Sequence, residues 1–232
     1  MSQASTVARL ATRELWMTFR LLLVLIVSVG AGAVIGLLPA LLPETMARLA
    51  AGLGLAIAVA AAVAAWSLAE ERVTGRAGWL VTRSVARQTY LAGWYFALVL
   101  VPAIGLAVGA LLGWLAIPGG AATVPPGEYL AVILAVATTL GVAVAIGLLA
   151  GSIVRPRAAM IVTLLVCAGA AALTVVAQGP AAWLPGGSLL LLARVAGSDP
   201  VMGDALRAAG IGLALTAVVL VACRLALERA DL

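Results

Sequence analysis

Long apolar runs separated by short polar loops limit what this 232-residue chain can fold into. Inside a bilayer every backbone polar group must be bonded within its own segment, and a spanning helix needs roughly 20 apolar residues. Six runs approach or exceed that length, at residues 21–38, 49–68, 91–115, 129–154, 158–177 and 208–227. With 65% apolar and 10% charged residues, the chain is not a soluble domain built around one core. The sequence therefore predicts an all-α integral membrane protein, one domain over residues 1–232 with six transmembrane helices.

The first polar segment, residues 1–20, has an amphipathic pattern. At 100° per residue its three arginines fall on one helical face and its apolar residues on the opposite face; these are Arg9, Arg13 and Arg20, and Val7, Ala11 and Leu15. We expect an interfacial helix on the cytoplasmic side. A frayed tail and a cleaved signal peptide are the alternatives, and the second is disfavoured because the apolar run continues to Leu38.

The last long polar segment, residues 178–207, contains one short apolar patch, Leu189–Ala193. The patch is too short to cross a bilayer and too apolar to lie free in water. We expect an external re-entrant or interfacial segment that dips into the membrane before the last span.

The arginines predict the orientation, because cytoplasmic loops carry an excess of positive charge. Eleven of the fourteen basic residues flank the spans on one side, and only Arg48, Arg194 and Arg207 lie on the other. Both termini and the loop after the second span are therefore expected in the cytoplasm.

Several chemistries are excluded by residues that the chain lacks. It has no histidine and no lysine, and no span carries a charged residue near its middle. Proton antiport and intramembrane hydrolysis generally need such groups, and an ATP-binding phosphate loop needs a lysine. Cys167 and Cys223 lie in separate apolar runs, so neither a disulfide nor a metal site is expected.

The most charged stretch is the loop after the second predicted span, residues 69–90, which contains Glu70, Glu71, Arg72, Arg76, Arg83 and Arg87. A segment of this polarity lies in water or at the bilayer surface. It is either a topology signal alone or a coupling helix that docks a soluble partner.

This stretch resembles the corresponding loop of type-2 ATP-binding-cassette (ABC) exporter permeases. The family pattern is a Glu, then Gly-Thr, a Leu, Pro-Val-Ser-Arg, and Gly-Lys opening the third span. The chain has Glu71, Gly75-Arg76, Leu80, Ser84-Val85-Ala86-Arg87 and Gly93-Trp94 in these places. It departs from the pattern at Arg76, Ser84, Ala86 and Trp94.

The resemblance implies a permease subunit in a bacterial cytoplasmic membrane. It would pair with a second permease copy and dock a separate ATPase subunit, which binds ATP and Mg, whereas this chain binds no cofactor. The implied docking residues are Glu70, Glu71, Arg72, Gly75, Arg76, Leu80, Arg83 and Arg87. The substrate would be hydrophobic or amphipathic, lipid-like or drug-like, and moved outward. The alternatives are a haem-exporter-like permease of cytochrome maturation and a non-transporting membrane scaffold.

Small residues at four-residue spacing predict close helix packing, because they let two backbones approach. The ridges are Gly32 with Gly36, Gly105 with Gly109 and Gly113, and Gly147 with Gly151. They serve either a dimer or translocation interface or packing within one chain, and packing is favoured.

The orientation is testable by labelling. Single cysteines placed at Ser84 and at Gly120, in a background lacking Cys167 and Cys223, should react with an impermeant maleimide from opposite sides of the membrane. The expectation follows from the arginine distribution. Labelling of both positions from outside would contradict cytoplasmic termini with six spans.

Overall fold

The computed structural model describes residues 3–33, 42–75, 86–116, 124–176, 184, 186–196 and 200–229, and all regular structure in these ranges is helical. The eight helices are α1 (Gln3–Met17), α2 (Arg20–Ala33), α3 (Leu42–Val73), α4 (Arg87–Leu115), α5 (Pro126–Ile153), α6 (Pro156–Val176), α7 (Ser188–Ala196) and α8 (Met202–Arg229). The predicted all-α class is confirmed for this part of the chain.

Within the described ranges, five helices are long and apolar enough to cross a membrane, namely Glu44–Val73, Arg87–Leu115, Pro126–Ile153, Pro156–Thr174 and Met202–Arg229. The expected first span falls on α2, whose apolar part, Arg20–Gly30, is shorter. Residues 34–41 of that run lie outside the described residues. The chain is thus a multi-pass helical membrane protein, and its sixth crossing stays a prediction.

Helix α5 lies at the centre of the bundle. In the most apolar 18-residue stretch of α5, a share of 67% is buried inside the protein. The corresponding share is 22% for α8 and 17% for α6. It packs on α3 along one side and on α8 along another, with α6 and α7 also in contact. Because α6 is mostly exposed, the apolar surface it presents is covered by lipid or by another subunit.

The contact between α3 and α5 is made by backbone against backbone. A Cβ atom added to Gly151 would lie 2.6 Å from the carbonyl oxygen of Ala65, and one on Gly147 would meet the carbonyl oxygen of Ala61. Only glycine permits this approach. The ridge of Gly147 and Gly151 therefore packs within the chain.

The ridge on α4 is also placed inside the bundle. Gly105 faces Ser28 of α2, and a Cβ atom added to this glycine would lie 3.0 Å from the serine Cβ. Gly109 and Gly113 are buried. Gly32 falls in α2, and Gly36 lies outside the described residues.

Helix α1 packs its apolar face onto protein. Val7, Ala11 and Leu15 are buried. Val7 lies against Gly93 of α4, where a Cβ atom added to the glycine would be 2.7 Å from the valine Cβ. The amphipathic pattern thus serves packing on α4. Four large apolar side chains in or just after this helix stay exposed, namely Leu10, Trp16, Met17 and Phe19.

Arg20 does not continue the face of Arg9 and Arg13, because the chain turns at Phe19. This residue has a positive φ of 59°, which is uncommon for a large side chain. Arg20 begins α2 and points toward α3, where it pairs with Glu70.

Helix α7 has nine residues, about 14 Å, and is too short to cross the bilayer. Its first residue, Ser188, hydrogen-bonds Thr139 of α5 at 2.9 Å. Thr139 lies thirteen residues into α5, about 20 Å from its start. Leu189 contacts Gly54 of α3, and a Cβ atom added to this glycine would lie 3.1 Å from Leu189 Cδ1. The start of α7 therefore lies deep between α3 and α5.

The substitution Gly147→Ala tests the α3–α5 contact. The added methyl group overlaps the α3 backbone, and we expect a loss of about 1–3 kcal/mol in the free energy of unfolding. The matched control is Gly169→Ala on α6, where an added Cβ has nothing within 4 Å. That change should be neutral or stabilise by up to about 1 kcal/mol. Equal melting temperatures for both variants in detergent would contradict this account of the packing.

Candidate functional site

Charged residues gather where α3 ends. The Arg20 guanidinium forms an ion pair with Glu70 and donates a hydrogen bond to Ser67 Oγ at 3.1 Å. Both partners are only partly exposed, so the pair is better shielded than a surface ion pair. It fixes the start of α2 to the last turns of α3.

Arg72 connects the end of α3 to two other helices. Its Nη1 donates to the carbonyl oxygen of Gly151 in α5 at 2.9 Å, one of the carbonyls that a helix end leaves unbonded. The guanidinium also lies near Cys223 of α8. Arg72 Nε is buried with no hydrogen-bond partner among the described residues.

The start of α4 and the end of α8 are joined by two arginines. Arg87 donates to the carbonyl oxygen of Glu228 at 3.1 Å. Arg224 donates to Gln88 Oε1 at 3.2 Å and pairs with the Glu228 carboxylate at 2.8 Å. We call the region defined by Arg20, Glu70, Arg72, Arg87, Arg224 and Glu228 the arginine-rich end.

The predicted docking residues differ in their surroundings, and the structure describes only some of them. Glu70, Arg72 and Arg87 make the contacts just described, and Glu71 is 4% exposed, so this conformation offers little of it to a partner. Gly75 has a φ of 74°, the left-handed turn that favours glycine. Arg76, Leu80 and Arg83 lie outside the described residues, and a docking role for the whole set stays a prediction.

The opposite end carries fewer arginines, and an aromatic pair joins α4 to α5 there. Trp114 stacks on Tyr129 at 6.3 Å between ring centroids, and Tyr129 donates to the carbonyl oxygen of Ala110 at 2.6 Å. Arg194 pairs with Asp204 at 3.0 Å. The sequence assigned the arginines to two sides of the membrane. The arginines whose contacts the structure describes lie at two ends of the bundle.

An apolar cavity of about 520 Å³ lies between these ends. It is enclosed by the first half of α3, the middle of α5, the exposed helix α6 and the start of α7. The lining residues include Gly54, Leu55, Ala143, Ile146, Cys167 and Leu189. The volume falls within the roughly 300–1,000 Å³ of ligand sites, and the walls suit an apolar molecule.

Thr139 is the one hydroxyl residue among the described residues that line this cavity. Its Oγ1 lies 3.1 Å from the carbonyl oxygen of Ala135, to which it donates. Because a hydroxyl has a single proton, Ser188 is the donor in the bond between the two side chains. The bond connects the cavity wall at Thr139 to the start of α7.

Sequence reasoning did not find the cavity or the pair of Thr139 and Ser188. The available signal was polar: a threonine in the middle of the fourth predicted span, and a serine next to the patch Leu189–Ala193. The two residues are brought together by the packing of the helices, which neither segment specifies by itself.

The fold and the cavity define a class, that of multi-pass helical membrane proteins with an apolar cavity among the helices. Beyond the class, no protein-family model matches the chain. No curated protein sequence matches it either.

The cavity is testable by photolabelling with a small apolar diazirine in membranes. We expect adducts on the α6 peptide that carries Cys167, because this residue lines the cavity. Ala143→Phe places a phenyl ring in the cavity and should remove most of these adducts. The control Leu213→Phe, on the exposed face of α8, should leave them unchanged. Equal labelling of both variants would mean that α6 reacts from the lipid side only.

Proposed function

We propose that the chain is the membrane-spanning permease subunit of an ATP-driven ABC exporter. Two permease copies would pair, each docking a separate ATPase subunit that binds ATP and Mg. The substrate class is hydrophobic or amphipathic, lipid-like or drug-like, moved out of the cytoplasm or the inner leaflet. The site of action would be a bacterial cytoplasmic membrane.

The observation that carries the proposal is the course of α3. Its first half lines the apolar cavity, at Ala50, Gly54 and Ala58 among others. Its last turn holds Glu70, Glu71 and Arg72 and leads directly into the loop that resembles the family's coupling segment. A partner that moves this loop would therefore act on a wall of the cavity through one continuous helix.

Packing determines which helices would move together. Gly147 and Gly151 of α5 hold the α3 backbone closely, and Arg72 bonds the Gly151 carbonyl oxygen. Interfaces packed this closely resist gradual deformation and move as one body. The cavity lies between the α3–α5 pair and α6, so a relative motion of the pair and α6 would open or close it.

The cavity chemistry supports an apolar cargo. Its described walls carry no charged side chain, and burying an unpaired ion there would cost several kcal/mol. A transported molecule with a polar headgroup would keep that group at the surface and place only its apolar part in the cavity.

The test is purification of the tagged chain from native membranes in mild detergent, followed by mass spectrometry and an ATPase assay. We expect a polypeptide with a phosphate loop to co-purify in near-stoichiometric amount. Arg87→Ala should lower its recovery at least about tenfold, since a half-made interfacial charge pair costs about 2–5 kcal/mol. The contact between Arg87 and Glu228 is exposed, so its loss should leave the fold intact.

Arg229→Ala is the matched control, an exposed arginine near the same end of α8, and it should retain the partner. Glu71 is less suitable for this test because it is buried, and its loss would alter stability as well as docking. If no ATPase accompanies the unaltered chain, the permease proposal is wrong and a scaffold is favoured. If Arg87→Ala retains the ATPase fully, only the docking assignment fails.

A further inference from the structure

A second apolar opening lies between α2 and α6, with α3 as its floor. It has a volume of about 460 Å³ and is lined by Arg20, Leu23, Val63, Trp66, Met160 and Leu164, among others. Leu164 also lines the cavity described above, so the two openings meet at this residue. We call the second opening the α2–α6 groove.

The α2–α6 groove has one polar end and one apolar end. Arg20 and Trp66 lie at the level where α3 approaches its last turns, since Arg20 bonds Ser67. From Trp66 the floor continues to Val59, seven residues or about 10 Å toward the middle of the helix. Leu23 and Leu164 remain 52% and 38% exposed, so the groove opens sideways toward lipid.

A second arginine lies at the polar end. Arg157, Met160 and Leu164 stand at positions i, i+3 and i+7 of α6 and share one helical face. Ala159 is buried against Ala65 and Ala69 of α3, which fixes this first turn of α6 beside the last turns of α3. Arg157 is therefore at the rim of the groove, on the wall opposite Arg20.

The two arginines differ in whether a carboxylate pairs with them. Arg20 is neutralised by Glu70, whereas Arg157 is exposed and forms no ion pair with any residue in the described part of the chain. The rim therefore has an excess of positive charge above an apolar floor.

We propose that the α2–α6 groove binds an anionic glycerophospholipid, with one acyl chain along α3 and the phosphate at Arg157. Trp66 suits this level of the membrane, because indole rings favour the headgroup region. Anionic lipids are also attracted to basic side chains at the membrane surface. The site is independent of the permease proposal and holds for a scaffold equally well.

The test uses the purified chain in detergent, titrated with phosphatidylglycerol that carries bromine on its acyl chains. Bromine quenches tryptophan fluorescence on contact, and the difference between the chain and its Trp66→Phe variant isolates Trp66. We expect quenching of Trp66 at lower concentrations of phosphatidylglycerol than of brominated phosphatidylcholine. Arg157→Gln should weaken phosphatidylglycerol binding about fivefold, the effect of one basic residue near the surface.

Two matched controls separate charge from shape. Arg229→Gln removes an exposed arginine away from the groove and should leave the titration unchanged. Val63→Phe fills the floor and should abolish Trp66 quenching by both lipids, whereas Val218→Phe on the lipid-facing side of α8 should not. Equal quenching by the two lipids, with no effect of Arg157→Gln, would overturn the proposal even if Val63→Phe failed to fold.

Discussion

The close approach of the α3 and α5 backbones is the contact on which the rest of the structure depends. In a bilayer, lipid tails are as apolar as the side chains they would replace, so helices associate through van der Waals packing of small residues. Gly147 and Gly151 allow that packing where any side chain would collide with α3 carbonyl groups. The other described helices are arranged around this pair, and the cavity is bounded on two sides by it.

Charge is confined to the ends of the bundle because an ion at membrane depth is costly. At the arginine-rich end the charged groups also connect helices: Arg20 joins α2 to α3, Arg72 joins α3 to α5, and Arg224 joins α8 to α4. Among the described helices α6 has no such contact, since Arg155 and Arg157 form no ion pair with described residues. Both apolar openings are bounded by α6.

The sequence was sufficient for the features that depend on one segment at a time. Run length and composition predicted the all-α class and the five long apolar helices, and glycine spacing pointed to the ridge that meets α3. Features that depend on two distant segments were not predictable. The sequence predicted an interfacial helix at residues 1–20, which stays a prediction, but it did not predict that the apolar face of α1 packs on α4 at Gly93, since amphipathicity does not specify what covers a face. The cavity, the ion pair of Arg20 with Glu70 and the bond of Thr139 with Ser188 each need the packed bundle, and no local pattern encodes them.

The depth of α7 has a consequence for how the chain assembles in the membrane. A nine-residue helix leaves a large share of its backbone groups without partners inside the helix, and lipid offers none in return. The start of α7 contacts both α5 and α3: Ser188 hydrogen-bonds Thr139, and Leu189 lies against Gly54. The position of α7 therefore requires that α3 and α5 are paired, so assembly of the cavity wall that α7 forms depends on the contact between these two spanning helices.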